Sequence, residues 1–328
     1  MVKEVYMTRN VPGPALSMLK EKCKVTLNKK SSPPSRKEIL KNVAGKDAIL
    51  CMLSDKIDRQ VMDAAGPNLK IISSFSTGFE HIDVQEATRR GIYVTYTADI
   101  LAEATADLAF ALMLACARNV VAGDAMVRAG RWKVGWTPDL LLGHNVYWST
   151  LGIVGLGKIG SAVARRAVGF GMKILYCNRS RNQKAEQELG ARYVSLDELL
   201  QESDFVSLHA SMNEASYHMI DREKLQKMKK TAFLINTARG KVVDEKDLSV
   251  ALRKGWIAGA GLDVFEEEPL VKSSPLVKMK NVTLLPHIGS ATHQTRSAMG
   301  KVAAESILAV LDGKSPDPYF LVNKRSDL

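Results

Sequence analysis

Leu151-Gly152-Ile153-Val154-Gly155-Leu156-Gly157-Lys158-Ile159-Gly160 is the stretch whose reading decides the fold. An apolar, β-branched strand runs into a G-x-G-x-x-G turn, and Ser161-Ala162-Val163-Ala164-Arg165-Arg166 leaves it with helical character. Glycine-rich turns are common, so the spacing alone says little; the strand before and the helix after supply the context that dinucleotide binding requires. Gly155 permits the tight turn, Gly157 lets the backbone approach a pyrophosphate, and Gly160 lets the helix pack on the strand. Leu156, Lys158 and Ile159 complete the turn, whose free N–H groups and positive helix-dipole end favour phosphate. The sequence therefore implies a nicotinamide dinucleotide and a soluble oxidoreductase.

The next strand, Lys173-Ile174-Leu175-Tyr176-Cys177, ends in Asn178-Arg179-Ser180-Arg181. An NAD-preferring site usually places Asp or Glu there to accept from the adenosine ribose hydroxyls. No carboxylate stands at this strand end to repel a 2′-phosphate. Arg179 and Arg181 can pair with one, and Asn178 and Ser180 can donate hydrogen bonds to it. The expected cofactor is NADP(H), with NAD(H) as the lesser possibility.

Outward from this turn, short apolar runs alternate with amphipathic segments, the pattern of a parallel sheet covered by helices. Before it, strands are expected at 5–7, 48–52, 70–73 and 92–94, with helices at 37–43 and 84–90. After it, strands are expected at 151–154, 173–177, 205–208, 232–235, 257–262 and 282–285. One long helix is expected over 104–127, and a final helix over 292–311 with no strand after it. With 328 residues, two domains are the better expectation. These are a Rossmann dinucleotide-binding domain at 100–290 and a substrate (lid) domain, discontinuous, at 1–99 and 291–328. The fold class is α/β, with a flavodoxin-like parallel sheet in the second domain.

Composition narrows the function classes. Apolar residues make up 46% and charged residues 25%, which is ordinary for a globular enzyme and argues against wholesale disorder. The formal charge is +11, but Lys and Arg are scattered, and runs such as Arg222 to Lys230 interleave with apolar positions. Solvated helix faces, not nucleic acid, are the expected reading. Charge mixed into the N-terminal residues points to a first strand rather than a signal peptide, and no apolar run is expected to reach bilayer-spanning length. Membrane association is not expected; a cytoplasmic location is. Cys23, Cys51, Cys116 and Cys177 are widely spaced without a CxxC or Cys/His cluster, so neither a disulfide framework nor a metal site is expected.

Three downstream strands each run into a polar end. Phe233-Leu234-Ile235-Asn236-Thr237-Ala238 delivers Arg239-Gly240. Ile257 to Leu262 delivers Asp263-Val264-Phe265-Glu266-Glu267-Glu268-Pro269, and Val282 to Pro286 delivers His287-Ile288-Gly289-Ser290. Ligands of open α/β sheets bind at the carboxyl ends of strands, so these ends can share a crevice with the glycine turn. A histidine near a carboxylate can take up or release a proton near neutral pH.

With these motifs in place, the chain resembles the D-isomer-specific 2-hydroxyacid dehydrogenase family over essentially its full length. Within it, the resemblance is to the glyoxylate/hydroxypyruvate reductase branch. The resemblance implies that Arg239 clamps the substrate carboxylate, that His287 is the general acid/base and that Glu268 is its partner. Glu266 and Glu267 fall outside the matching position and are expected to be solvated. It further implies cofactor-lining positions at Thr105, His209, Ala210, Thr237, Ala238, Asp263, Gly289 and Ser290. Ser76-Thr77-Gly78 matches a loop whose N–H groups hold the substrate carboxylate, and Leu53 a substrate-lining segment. Trp136 sits where this branch places an aromatic able to reach a neighbouring subunit's site, and a homodimer is implied. Where many members have Pro after the segment matching Leu208-His209-Ala210, this chain has Ser211. The implied reaction is reduction of glyoxylate or hydroxypyruvate to the D-2-hydroxy acid. Alternatives are another hydroxyacid, formate or phosphite dehydrogenase of this scaffold, and a dinucleotide-sensing corepressor-like binding protein.

Overall fold

A computed structural model describes residues 2–30 and 32–323, so Met1, Ser31 and 324–328, all in the expected lid domain, lie outside it. The chain divides into two compact units, Met1–Leu101 with Ser290–Leu328, and Ala102–Gly289.

Among the described residues the first unit holds five parallel strands: β1 (Lys3–Met7), β2 (Cys23–Leu27), β3 (Ala48–Cys51), β4 (Ile71–Ser74) and β5 (Tyr93–Thr95). Their order is β2-β1-β3-β4-β5, which is the flavodoxin-like arrangement. Both β3 and β4 are buried throughout, because helices cover both faces; β3 reads as a continuous apolar run, while β4 closes with Ser73 and Ser74. The helix His293–Leu311 returns to this sheet and buries Ala303, Ala304, Ile307 and Val310 against Val5, Met7, Leu50 and Ile71.

The second unit holds seven strands: β6 (Thr150–Val154), β7 (Lys173–Cys177), β8 (Arg192–Tyr193), β9 (Phe205–Leu208), β10 (Phe233–Asn236), β11 (Gly259–Leu262) and β12 (Val282–Leu284). All pair in parallel, in the order β12-β11-β10-β9-β6-β7-β8. The strand order reverses between β6 and β9, where Val154 lies in register with Leu208. That switch point is where an open α/β sheet takes its ligand.

Two expectations differ from the structure. The long helix at 104–127 is two helices, Ala102–Ala117 and Val120–Arg128, separated at Asn119, which adopts a left-handed conformation with φ 53°. Asn enters that region at low cost, so nothing in the hydrophobic pattern marks the break. An apolar helical stretch of spanning length does occur, Ala98–Ala117, with mean hydropathy 1.8. Half of it is buried inside the protein, with Ala106, Ala109, Phe110, Leu112 and Met113 in the core beneath the second sheet.

Candidate active site

The glycine turn follows β6. Gly155 has φ 99°, and a Cβ there would lie 2.7 Å from the His209 carbonyl carbon and 2.8 Å from the Ala210 nitrogen. Only glycine satisfies both the dihedral and the close approach of the two strand ends. At Gly160 a Cβ would meet the Gly155 oxygen, while at Gly157 nothing lies within 4 Å. Gly157 also opens the helix Lys158–Gly169 with no side-chain cap, so the first N–H groups of that helix point into open space. This is the geometry a pyrophosphate needs, and the residues present fit a dinucleotide. Buried Thr237 Oγ1 and His209 Nδ1 have no hydrogen-bond partner among the described residues, so polar atoms remain available on this edge.

The adenosine end is more constrained than its sequence suggests. Asn178 Oδ1 accepts from the Leu156 N–H at 2.6 Å, so this residue braces the glycine turn. Arg181 does not stand open: Glu186 accepts from its Nε at 3.0 Å and its Nη2 at 2.6 Å, and also from the Tyr176 hydroxyl. The Arg181 hydrogen bond, then that of Tyr176, holds the Glu186 carboxyl below its ordinary pKa. Arg179 and Ser180 are exposed. Sequence reading missed Glu186, which approaches the strand end from the following helix.

His209 continues the strand ladder through its N–H to Val154 O at 2.8 Å, and its Nε2 lies 2.8 Å from Ser207 Oγ. Burial of the ring pushes its pKa down to about 3, so it is a neutral wall of the site rather than a second base.

Arg239 follows β10. Asn236, buried at the strand end, accepts from the Ala238 N–H at 3.0 Å and donates from Nδ2 to Arg239 O at 2.9 Å. This bracket shapes the arginine loop, and the Arg239 guanidinium donates from Nη1 to Ala238 O at 2.8 Å. Gly240 then packs directly on the next loop, where a Cβ would overlap the Phe265 carbonyl.

His287 and Glu268 meet at 2.7 Å, Nδ1 to Oε2. His287 has φ 53°, a conformation uncommon outside glycine that must be held by its surroundings. Asp263 supplies the hold. Its backbone oxygen accepts the His287 N–H at 2.9 Å, and its carboxylate accepts the Ile288 and Gly289 N–H groups at 2.8 Å each. Burial pushes the Asp263 pKa up against those hydrogen bonds. At Gly289 a Cβ would lie 3.4 Å from both Asp263 Oδ2 and Thr105 Oγ1, which places Thr105 beside this turn.

Glu268 Oε1 accepts the Phe265 N–H at 3.1 Å. Burial disfavours its charged form, but His287, the Phe265 N–H and the Arg239 charge together outweigh burial and hold its pKa below the ordinary value. Glu268 is therefore an anion at neutral pH. Glu266, expected to be solvated, is half-buried instead: it accepts from the Glu245 N–H at 2.8 Å and faces His218 at 3.2 Å.

In the other unit, Leu53 follows β3 and Ser76-Thr77-Gly78 follows β4, adjacent strands of one sheet. The Ser76 hydroxyl donates to Gly78 O at 2.5 Å and shares a 2.7 Å hydrogen bond with Ser74. Among the described residues the Thr77 and Gly78 N–H groups donate to no backbone oxygen. Ser290 opens this unit's second segment. Trp136 lies in an irregular stretch of the Ala102–Gly289 unit with 84% of its surface exposed.

A Rossmann turn at a switch point, with a carboxylate–histidine pair and an arginine on neighbouring strand ends, defines a dinucleotide-dependent oxidoreductase. The chain belongs to the D-isomer specific 2-hydroxyacid dehydrogenase family, whose NAD binding domain model matches residues 110–289. It is 53% identical to a glyoxylate reductase of Korarchaeum cryptofilum, over 96% of this chain and 95% of that one. A crystal structure of a Thermus thermophilus protein superposes with a TM-score of 0.92 at 45% identity, covering 98% of this chain and 100% of that chain. An NADPH-dependent glyoxylate/hydroxypyruvate reductase of Sinorhizobium meliloti, in complex with NADP and malonate, has a TM-score of 0.84 at 30% identity. It covers 99% of this chain and 100% of that chain.

Proposed function

We propose that this protein reduces a small 2-oxo acid, glyoxylate or hydroxypyruvate, to the D-2-hydroxy acid with NADPH. The observation that carries the reading is the 2.7 Å His287–Glu268 pair beside Arg239. The bound nicotinamide supplies the hydride. Arg239 binds the substrate carboxylate and polarises the neighbouring carbonyl through its planar fork of donors. Glu268 holds Nδ1–H of His287, which leaves Nε2 as the atom that delivers a proton to the nascent alkoxide. In the oxidative direction neutral His287 takes that proton back from the alcohol. Gly157 and the helix start receive the pyrophosphate, and Arg179 with Ser180 receives the 2′-phosphate, since both are exposed while Glu186 holds Arg181. Thr77 and Gly78 offer N–H groups to the substrate carboxylate.

The chain acts as a homodimer in this reading. The helix Val120–Arg128 buries none of its residues, and Val121, Val127, Trp132, Trp136 and Leu142 are exposed apolar side chains of the same segment. A surface of this kind marks an interface, and sedimentation at a dimer's mass is expected. The decisive experiment is a set of initial rates for glyoxylate, hydroxypyruvate and pyruvate, each with NADPH and NADH. Highest kcat/KM for glyoxylate or hydroxypyruvate with NADPH is expected. Preference for NADH would overturn the cofactor assignment, and failure to oxidise NADPH with any 2-oxo acid would overturn the reaction.

A further inference from the structure

The loops that carry Arg239 and Glu268 are joined by a charged cluster that neither the glycine turn nor the proton-transfer pair uses. The segment Tyr217–Ile220 runs beside Lys241–Asp244: His218 N–H donates to Lys241 O at 2.8 Å, Ile220 N–H to Val242 O at 3.0 Å, and Asp244 N–H to Ile220 O at 3.1 Å. His218 has φ 48°, left-handed like His287, and stacks on Tyr217 with ring centroids 4.0 Å apart. That backbone turns its ring between two acids. Nδ1 lies 3.4 Å from Asp244 Oδ2, and Nε2 lies 3.2 Å from Glu266 Oε1. The second contact is a close approach without hydrogen-bond alignment.

Across the same gap Glu245 and Glu266 exchange two hydrogen bonds, each backbone N–H donating to the other's carboxylate. The carboxylates of Glu245 and Glu266 thus meet in a half-buried space, and Asp244 faces the other nitrogen of the His218 ring. The Glu245 pKa is raised, chiefly by burial, and the like charges of Glu266, Glu267 and Glu268 push it the same way. Carboxylates this close repel unless a cation or hydrogen-bond donor stands among them. The His218 ring is placed to be that group.

We propose that His218 is a positioning residue, whose grip on Asp244 and Glu266 locks the loop bearing Glu268 onto the loop bearing Arg239. The link to chemistry is short. Glu266 is the neighbour of Phe265, whose N–H holds Glu268 Oε1, and Gly240 beside Arg239 is pressed against the Phe265 carbonyl. A shift of Glu266 therefore moves the atom that orients Glu268, and through it the His287 ring. Displacements of about 1 Å away from the chemistry are enough to lower turnover. The inference rests on the roles of Glu268 and His287 proposed above.

A double-mutant cycle on kcat tests it, with His218→Asn, Glu268→Gln and both together, using glyoxylate and saturating NADPH. His218→Asn is expected to lower kcat about tenfold in the wild-type background and less than about twofold beside Glu268→Gln, because residues acting through one another are not additive. The dissociation constant for NADPH is expected to stay unchanged. Glu266→Gln, which removes the same contact from its other side, is expected to reproduce the result and carries the cycle if His218→Asn does not fold. An equal loss in both backgrounds, or undiminished kcat in folded His218→Asn, would overturn the proposal. Full turnover of Glu268→Gln alone would overturn the Glu268 assignment as well, which separates the two failures.

Discussion

Two alanines, at Gly157 and at Gly155, should have opposite consequences. At Gly157 the backbone is extended, with φ −85°, and an added methyl meets nothing within 4 Å. The fold should lose only the small difference between Gly and Ala at a helix N-cap, below about 1 kcal/mol. For a unit of this size that is a fall in Tm of roughly 2–4 °C at most. The methyl nevertheless fills the space the pyrophosphate would occupy, and the NADPH dissociation constant should rise at least about tenfold, or ~1.4 kcal/mol. At Gly155 the methyl is strained by φ 99° and pressed on the His209–Ala210 backbone. Strain of ~1–2 kcal/mol and overpacking of ~1–3 kcal/mol should lower Tm by on the order of 10 °C. Thermal unfolding together with a fluorescence titration of NADPH reads both. A Gly157→Ala protein that binds NADPH as tightly as wild type would refute the assignment of this turn to a dinucleotide.

Other outcomes follow from the same geometry. Arg239→Lys should raise KM for glyoxylate and lower kcat/KM by about a hundredfold, because an ammonium cannot form the two-pronged contact; unchanged KM would count against the clamp. Arg179→Ala should lower kcat/KM with NADPH by at least about tenfold while NADH is little affected, and equal losses with both cofactors would remove Arg179 from the 2′-phosphate site. His209 has a folded pKa pushed from 6.5 down to about 3, so the unfolded chain binds its proton first as pH falls. Its contribution is complete above pH 6.5 and is lost between there and pH 3, amounting to about 2 kcal/mol by pH 5. Urea midpoints at pH 7 and pH 5 should therefore lie closer together in His209→Asn than in wild type, and an unaltered gap would contradict the burial of a neutral ring.

The sequence made the interior strands plain because both faces of a parallel sheet are covered, and Ala48–Cys51 can then be apolar throughout and Phe205–Leu208 apolar at all but Ser207. Two of the edge strands, β2 and β8, hid for the same reason. Cys23–Leu27 carries Lys24 and Thr26 and follows a lysine-rich helix end, and Arg192–Tyr193 is two exposed residues. The break at Asn119 left no mark in the apolar pattern. At the site, residues that end a strand could be read locally: Arg239, Asp263 and His287 each follow an apolar run. Glu186 and His218 could not, because each matters through a partner brought near only by the fold. Asn236 stood in the motif and was passed over; a polar residue closing a buried strand was the available signal.

The central claim is that His287, held by Glu268, moves the proton in reduction of a 2-oxo acid. Steady-state oxidation of NADPH with glyoxylate, measured for wild type and His287→Ala alongside NADPH binding, tests it most directly. Turnover by wild type, a fall in kcat of at least about a hundredfold in the variant and an unchanged NADPH dissociation constant are expected. Near-wild-type turnover by His287→Ala would contradict it.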